Sequence, residues 1–164
     1  HVASLLRQSS LVVACELSRR KAKGVRELVD KLGVGTKVVV LCCDSRSSVD
    51  TDRQQVLGSE AVRAAVSENC QDGIFEPSSL PPLSFDAVLL DPSCSGLGNR
   101  PRLGIGKDDF SQFPQLQRAL LHNAVRALRP GGTLIYSTCT VNPAENEEMV
   151  AYALAEFSCL QLVR

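Results

Sequence analysis

Short apolar runs alternate with amphipathic segments along most of this 164-residue chain, and this alternation restricts the fold more than any other feature. Four runs have the length and composition of buried strands: 11–15, 38–42, 85–90 and 133–136. One segment with helical periodicity follows the first run, a second precedes the last run, and a third comes after it. Because strand–helix–strand units with short joints form parallel sheets, the pattern predicts an α/β fold with a doubly wound, mostly parallel sheet.

Local signals indicate where the first two predicted helices end. Ser18 is expected to cap the first helix, and Gly33 is expected to end it. The second helix carries its apolar residues between 116 and 128, and Pro130-Gly131-Gly132 is expected to break it before the last strand.

The third predicted helix has a capping sequence at its start. Asn142 is expected to cap it, with Pro143 at its first position and Glu145 at its third. Its buried face would consist of Met149, Val150, Ala153, Leu154 and Phe157.

Two further segments bear on the organisation of the chain. The polar segment 45–83 is weakly patterned and is interpreted as an excursion on one edge of the sheet, with a helix near 60–67. Apolar residues at 2–6 resemble the tail of a helix, which would normally follow a strand and a turn. A segment is therefore expected to be missing before His1.

The composition limits the partners of the chain. Its 18 basic residues balance 18 acidic ones, so a local patch or a separate domain would have to supply most of the affinity for a nucleic acid. No stretch approaches the roughly 20 apolar residues of a membrane span.

The seven cysteines form an odd set without repeated CxxC spacing, which argues against a zinc site and against a disulfide framework. Cys15, Cys42 and Cys43 lie in strand-like runs, where free cysteine is expected to be a small buried apolar residue. This usage favours a reducing, intracellular compartment.

Acidic residues follow the first two predicted strands, with Glu16 after the first and Asp44 after the second. In nucleoside-binding α/β folds, an acid at such a position can accept hydrogen bonds from both ribose hydroxyls, and the next strand end can contact the adenine. Ordinary polar residues at strand exits explain the pair equally well.

Cysteines follow the other two predicted strands, and one of them lies close to an acid. The segments are Asp91-Pro92-Ser93-Cys94 and Ser137-Thr138-Cys139. A simple turn explains the first, and a lone cysteine after a strand is more often structural than catalytic. Two thiols and an acid at the edge where α/β sheets bind ligands nevertheless favour covalent catalysis.

These segments resemble the Sun-domain family of RNA cytosine-C5 methyltransferases. That family carries Asp-Ala-Pro-Cys-Ser-Gly at one strand end and Ser-Thr-Cys-Ser/Thr at the next, followed by Glu-Asn-Glu. The corresponding segments here are 91–96, 137–140 and 144–148. The resemblance implies a Rossmann-like class I methyltransferase fold, S-adenosylmethionine as the cofactor and RNA as the substrate. Further segments resemble the branch that methylates the acceptor end of certain tRNAs (the cytosine-72 type): 98–101, 114–118 and 157–162.

The resemblance also implies residue roles. Cys139 corresponds to the nucleophile that attacks C6 of cytosine, and Cys94 to the second cysteine, which helps to release the product. Asp91 corresponds to the acid that holds the N3/N4 edge of cytosine beside the cofactor. Glu16 corresponds to the acid on the ribose of the cofactor, and Asp44 to the acid near its adenine. The resemblance implies no metal.

The chain departs from the family pattern in two respects. Pro92-Ser93 stands where the family has Ala-Pro, which moves the proline by one position in the turn that carries Cys94. The Gly-rich cofactor loop, the first strand and the auxiliary RNA-binding domain of the family are expected upstream, and its last strands downstream. Residues 1–164 are therefore expected to form a partial catalytic domain that is inactive by itself.

Two alternatives remain open at this point. The chain could be a non-catalytic remnant that keeps an RNA- or protein-binding surface, in which case no Gly-rich loop would precede it. It could also belong to a methyltransferase for proteins or small molecules, but such reactions need no nucleophile for C6. The likeness to a tRNA enzyme predicts a cytoplasmic location, with the nucleus or nucleolus as the alternative.

Overall fold

The computed structural model describes residues 2–7, 9–47, 70–71, 73–75, 85–99 and 109–163. The chain forms two compact units, His1–Ser84 and Phe85–Arg164. The described part of each unit combines parallel strands with helices, in agreement with the predicted α/β class.

The described helices and strands of the first unit are α1 (Val2–Leu5), β1 (Val12–Glu16), α2 (Arg19–Lys31), β2 (Val38–Cys42), β3 (Cys70–Gln71) and β4 (Ile74–Phe75). The four strands form a sheet in the order β1-β2-β4-β3. β1 and β4 both pair with β2 in parallel, whereas β3 is antiparallel to β4. Because β2 is an inner strand, it is the most buried, and Val38 and Val40 pack with Ala22 and Val29 of α2.

The ends of α2 confirm the prediction. The Ser18 side chain accepts a hydrogen bond from the backbone N–H of Lys21 at 3.5 Å, as an N-cap does. Gly33, directly after the C-cap Leu32, has a φ of 65°, a conformation that glycine adopts without strain. The helix therefore runs from the first strand back to the second, which gives the predicted βαβ unit.

The polar segment 45–83 contributes a hairpin that the sequence did not predict. Val40 of β2 pairs with Ile74 of β4, and Ile74 is almost fully buried. Strands of two residues are too short to show a period of two, which explains why the sequence gave no sign of them. The helix predicted near 60–67 lies outside the described residues.

The expectation that the first-unit cysteines are buried was wrong for Cys15, which is exposed, while Cys42 and Cys43 are half-buried. β1 is an outer strand among the described strands of its sheet, and strand side chains alternate between the two faces. A residue of such a strand can therefore be exposed even within an apolar run.

The second unit is built on the parallel pair β5–β6. Its described elements are β5 (Phe85–Leu90), α3 (Gln112–Ala127), β6 (Leu128–Tyr136), a 3₁₀ turn (Pro143–Glu145) and α4 (Glu147–Glu156). Leu121 of α3 and Met149 and Ala153 of α4 form a buried cluster against which Leu90 and Leu134 pack. This cluster joins both helices to the strand pair.

The start of β6 differs from the prediction. The strand begins at Leu128, directly after α3, so Pro130-Gly131-Gly132 lies within the strand instead of separating it from the helix. The pairing with β5 shifts register between Phe85 and Ala87, which accommodates the extra residues as a bulge. Gly131 has a φ of 76°, which explains why glycine occupies this bulge.

The last helix also begins later than predicted. Asn142 caps the 3₁₀ turn by accepting a hydrogen bond from the N–H of Ala144 at 3.2 Å, and α4 starts only at Glu147. Asn146 separates the two, because its φ of −124° and ψ of −93° are not helical. Leu154 was placed wrongly in the buried face: it is 41% exposed, since the contact face of α4 is narrow and centres on Met149 and Ala153.

Candidate active site

The second unit brings the ends of two parallel strands together. Leu90 pairs with Tyr136, and the next backbone N–H, that of Ser137, donates to the Leu90 carbonyl at 3.0 Å. One residue further along, the Ser137 hydroxyl donates to Oδ1 of Asp91 at 3.1 Å. The segments after both strands therefore leave the sheet at the same edge, where parallel α/β sheets bind their ligands.

The two predicted thiols meet at this edge. The Sγ atoms of Cys94 and Cys139 lie 3.2 Å apart; Cys139 is exposed and Cys94 is half-buried. Asp91, the third residue predicted for this site, is exposed at the same strand end. The structure thus assembles two neighbouring thiols and a carboxylate that solvent and a ligand can reach.

The two thiols differ in their surroundings. Burial raises the pKa of Cys94, and the hydrogen bond with Cys139 raises it further. Two negative charges at this separation would repel each other strongly. A protonated Cys94 can instead donate its S–H towards the sulfur of Cys139.

The turn after Cys94 wraps around Cys139. The backbone N–H of Gly98 donates to the Cys139 carbonyl at 3.0 Å, and Nδ2 of Asn99 donates to its sulfur at 3.4 Å. A Cβ on Gly98 would lie 2.9 Å from the Cys139 carbonyl oxygen, closer than real Cβ contacts. Gly96 has a φ of 68°, so the turn uses glycine for conformation at one position and for space at another.

A buried carboxylate, Glu145, lies beneath the Cys94 turn. Its Oε2 accepts hydrogen bonds from the backbone N–H of Ser95 at 3.0 Å and from Nε2 of Gln117 at 2.9 Å. Its Oε1 accepts from Nδ2 of Asn142 at 3.0 Å. Glu145 has no exposed surface, and burial alone would raise its pKa, but these hydrogen bonds outweigh that effect and hold the pKa below its usual value.

Gln117 and Tyr136 complete this buried network. Gln117 is itself fully buried, and its Nε2 also donates to the Ser93 carbonyl at 3.1 Å. The Tyr136 hydroxyl lies 2.8 Å from the Glu145 carbonyl oxygen and 3.1 Å from Oε1 of Gln117, and shares its proton between them. Burial, followed by the charges of Glu145 and Cys94, raises the pKa of Tyr136 to about 12.

The residue after Glu145 contacts the other cysteine turn. Oδ1 of Asn146 accepts a hydrogen bond from the Thr138 hydroxyl at 2.7 Å. Its Nδ2 donates to the carbonyls of Thr140 and Asn142, both at 3.1 Å. Asn146 therefore holds the residues on both sides of Cys139.

Sequence reasoning did not assign roles to Asn99, Gln117, Glu145 or Asn146. Gln117 could have been noticed because it lies four residues before the buried Leu121, on the apolar side of α3. The sequence predicts only a capping role for Glu145, and Glu145 and Asn146 otherwise belong to the Glu-Asn-Glu segment that carries the family resemblance. Asn99 lies in the segment 98–101, which carries the likeness to the tRNA branch, but nothing local predicts its contact with Cys139.

The two acids predicted to bind a nucleoside lie in the first unit. β1 and β2 pair in parallel with Glu16 opposite Cys42. Glu16 is the last residue of β1, and Asp44 lies two residues beyond the neighbouring end of β2. Oε1 of Glu16 accepts a hydrogen bond from the backbone N–H of Ser18 at 2.8 Å. This contact holds an acceptor at the strand end, which fits the hydroxyls of a ribose.

The Asp44 carboxylate is hydrogen-bonded to Arg46. It accepts hydrogen bonds from the Arg46 side chain at 2.5–2.9 Å and from the Arg46 backbone N–H at 2.9 Å. The hydrogen bonds from the Arg46 side chain are the main reason why the pKa of Asp44 is low. Contact with an adenine amine would require Asp44 to share its oxygens with Arg46.

Within the described residues, no three His, Cys, Asp or Glu side chains are grouped in a way that could hold a metal ion. The described helices are also too short or too polar to cross a membrane.

The described strands and helices have the arrangement of an α/β fold, and two thiols lie at one strand edge of the second unit. All of residues 1–164 match the family described as 16S rRNA methyltransferase RsmB/F, and the chain belongs to this family. The recognised resemblance to the Sun-domain family is thereby confirmed.

Individual relatives support the same assignment. The chain is 35% identical over 164 residues to mouse tRNA (cytosine(72)-C(5))-methyltransferase NSUN6 and 36% identical to its human counterpart, covering 99% of this chain in both cases. It spans 31% of the length of each of these relatives. The crystal structure of NSun6 from Pyrococcus horikoshii with SFG superimposes with a TM-score of 0.64 and 26% identity, covering 95% of this chain and 33% of that one.

Proposed function

We propose that this chain is part of the catalytic domain of an RNA (cytosine-5-)-methyltransferase that uses S-adenosylmethionine and acts on tRNA. The observation that carries the proposal is the 3.2 Å separation of Cys94 and Cys139 at neighbouring parallel strand ends, with Asp91 at the same edge. A single thiol suffices for nucleophilic attack, so a second thiol this close suits a reaction in which a covalent adduct must also be resolved.

The chemistry assigns one role to each residue. The Cys139 thiolate adds to C6 of cytosine, and this addition makes C5 nucleophilic; Asp91 holds the N3/N4 edge of the ring by hydrogen bonds. S-adenosylmethionine, when bound, supplies an electrophilic methyl group. After methylation, the C5 proton passes to a base, the C5–C6 double bond forms again, and the Cys139 sulfur leaves C6 as a thiolate. Cys94 assists this release. The target base must leave its stack to reach the thiols.

The proposed cofactor is supported by the first unit and by a relative. Glu16 presents a carboxylate that suits a ribose, and Asp44 follows the neighbouring strand. The Pyrococcus horikoshii relative was solved with SFG, an analogue of S-adenosylmethionine. We therefore assign Glu16 to the ribose and Asp44 to the adenine of the cofactor.

The choice of tRNA is supported by the mouse and human relatives, whose names specify cytosine 72 of tRNA. Other relatives are named as rRNA methyltransferases, so rRNA is the substrate to compare in the test. A tRNA substrate favours a cytoplasmic location, and an rRNA substrate favours the nucleus or nucleolus; microscopy of the tagged protein distinguishes them.

The test traps the covalent adduct with the protein expressed from its complete gene. The protein is incubated with S-adenosylmethionine and either tRNA or rRNA, and adducts that resist denaturant are counted by gel electrophoresis. We expect Cys94→Ala to accumulate the adduct and Cys139→Ala to form none. Cys159 is an exposed cysteine of the same unit, so Cys159→Ala serves as the matched control and should behave as wild type.

The outcomes separate the proposal from its main alternative. Adduct in Cys94→Ala with tRNA but not rRNA supports the proposal in full, and the reverse preference corrects the substrate. Absence of both adduct and methylation with every RNA would overturn it in favour of a non-catalytic remnant.

A further inference from the structure

Two adjacent residues, Glu145 and Asn146, hold the turns that carry the two thiols. We propose that Glu145 is the positioning residue for Cys94 and Asn146 the positioning residue for Cys139, so that the two control release and attack separately. This inference rests on the proposed two-thiol reaction and deepens it.

Glu145 fixes both neighbours of Cys94. Its Oε2 accepts a hydrogen bond directly from the backbone N–H of Ser95 at 3.0 Å. It also accepts one from Nε2 of Gln117, and the same nitrogen donates to the Ser93 carbonyl, which links Glu145 to Ser93 indirectly. Glu145 does not contact either sulfur through any hydrogen bond found among the described residues. Its influence on Cys94 therefore passes through the backbone of the turn.

The burial of Glu145 indicates that this arrangement depends on its charge. A fully buried carboxylate is costly unless it is hydrogen-bonded, and three donors from three separate segments converge on this one. Removing the charge weakens all three contacts together. The Cys94 turn is then held less firmly, although the strands and helices remain in place.

Asn146 fixes both neighbours of Cys139 in a complementary way. Its Oδ1 accepts the Thr138 hydroxyl at 2.7 Å, and its Nδ2 donates to the Thr140 carbonyl at 3.1 Å. The site needs a donor and an acceptor on one small side chain, which an amide supplies and a carboxylate does not. Asn146→Asp would therefore place an acceptor against the Thr140 carbonyl without changing the size of the side chain.

The two turns also contact each other. The hydroxyl oxygens of Ser95 and Thr140 lie 2.7 Å apart, so a change in one turn has some effect on the other. The separable roles must therefore be measured as a ratio, namely the amount of adduct relative to the amount of methylated product released.

The experiment compares two isosteric substitutions in the protein expressed from its complete gene. Glu145→Gln is expected to raise the ratio of adduct to released product by about tenfold, because a hydrogen-bonded charge that holds the Cys94 turn is lost. Asn146→Asp is expected to slow adduct formation by about tenfold and to leave this ratio near the wild-type value. Glu148→Gln, at an exposed position of the same segment, is the matched control and should match wild type in both measurements.

Two further variants test the pathway from Glu145 to Cys94. Gln117→Met keeps the approximate size of the side chain but removes its hydrogen bonds to Ser93 and Glu145. It should raise the ratio less than Glu145→Gln does, because the Ser95 N–H still binds the Glu145 carboxylate. Adding Glu145→Gln to Cys94→Ala should cause no further accumulation, because the thiol that Glu145 positions is already absent. Full additivity would overturn the inference.

A second readout does not require methyl transfer. Diamide oxidises two neighbouring thiols to a disulfide and takes up their two hydrogens and two electrons. The Sγ atoms of Cys94 and Cys139 lie 3.2 Å apart and must approach to about 2.05 Å to form the bond. The rate of this step therefore depends on how the two turns position the sulfurs. We expect slower formation of this disulfide, mapped by peptide mass spectrometry, in Glu145→Gln and Asn146→Asp and an unchanged rate in Glu148→Gln.

The two readouts distinguish the two proposals. A wild-type rate of disulfide formation in Glu145→Gln would overturn the role of Glu145, and a wild-type rate in Asn146→Asp would overturn that of Asn146, whatever the enzyme does. Slow disulfide formation in both variants, combined with the absence of any RNA adduct in wild type, would overturn the methyltransferase mechanism. It would still support the positioning roles of Glu145 and Asn146. Equal losses in adduct and product, with no change in their ratio, would reduce Glu145 to a residue needed only for folding.

Discussion

The backbone N–H of Gly98 donates a 3.0 Å hydrogen bond to the carbonyl oxygen of Cys139, and no side chain fits between the two segments. A Cβ at residue 98 would lie 2.9 Å from that oxygen and 3.3 Å from the carbonyl carbon. Both contacts are with backbone, which cannot rotate away as a flexible side chain would. The close approach of the two turns therefore requires glycine at this position.

The first prediction follows from this contact. Gly98→Ala should separate the turns, lower the free energy of unfolding by about 1–3 kcal/mol and abolish most adduct formation. Gly24→Ala in α2 is the control, because a Cβ there meets nothing within 4 Å and should stabilise the helix by up to about 1 kcal/mol. Urea unfolding and adduct trapping measure both effects. Normal adduct formation in Gly98→Ala would show that the turns are not held this closely.

The second prediction concerns acid stability. Because the pKa of Glu145 is lower in the folded protein than its ordinary value of 4.5, the unfolded state binds this proton more readily. The carboxylate therefore contributes stability above about pH 4.5, and this contribution is lost as the pH falls through the folded-state pKa. Unfolding free energies should differ most between wild type and Glu145→Gln near neutral pH and converge in acid. A difference that does not change with pH would contradict the prediction.

The strand ends could be predicted from the sequence, whereas the network beneath them could not. Cys94, Cys139 and Asp91 follow apolar runs, and the parallel sheet alone suffices to bring such positions to one edge. Glu145 and Gln117 lie 28 residues apart and meet only after α3 has packed on the strands. Hydrogen bonds between side chains so far apart in the sequence depend on tertiary packing, so no local sequence pattern predicts them.

The same reasoning explains the errors in the last helix. The prediction of Asn142 as a cap is confirmed, but the capping box is wrong: the Glu145 carboxylate binds the Ser95 N–H and the Gln117 amide, and the capped turn is 3₁₀. The α-helix therefore starts only after Asn146. A local helix signal was here overridden by contacts with the cysteine turn.

The third prediction concerns Tyr136 in alkali. Its pKa of about 12 lies above the ordinary value of 10.0, so the folded state holds this proton more tightly than the unfolded state. The free energy of unfolding should fall as the pH rises from about 10 towards 12, and less so in Tyr136→Phe. The tyrosinate absorbance change near pH 12 should vanish in Tyr136→Phe and persist in Tyr152→Phe, the variant of the other tyrosine in this chain. Loss of that absorbance change in Tyr152→Phe would reverse the assignment.

The last prediction tests the first unit. In the protein expressed from its complete gene, Glu16→Gln should weaken S-adenosylmethionine binding by about tenfold, because a charged acceptor for the ribose hydroxyls is replaced by a neutral one. The glutamine retains an oxygen for the Ser18 N–H, so the strand end should keep its conformation. Glu27→Gln, on the exposed side of α2, is the matched control. Isothermal titration calorimetry measures the affinities, and equal affinities for wild type and Glu16→Gln would remove Glu16 from the cofactor site.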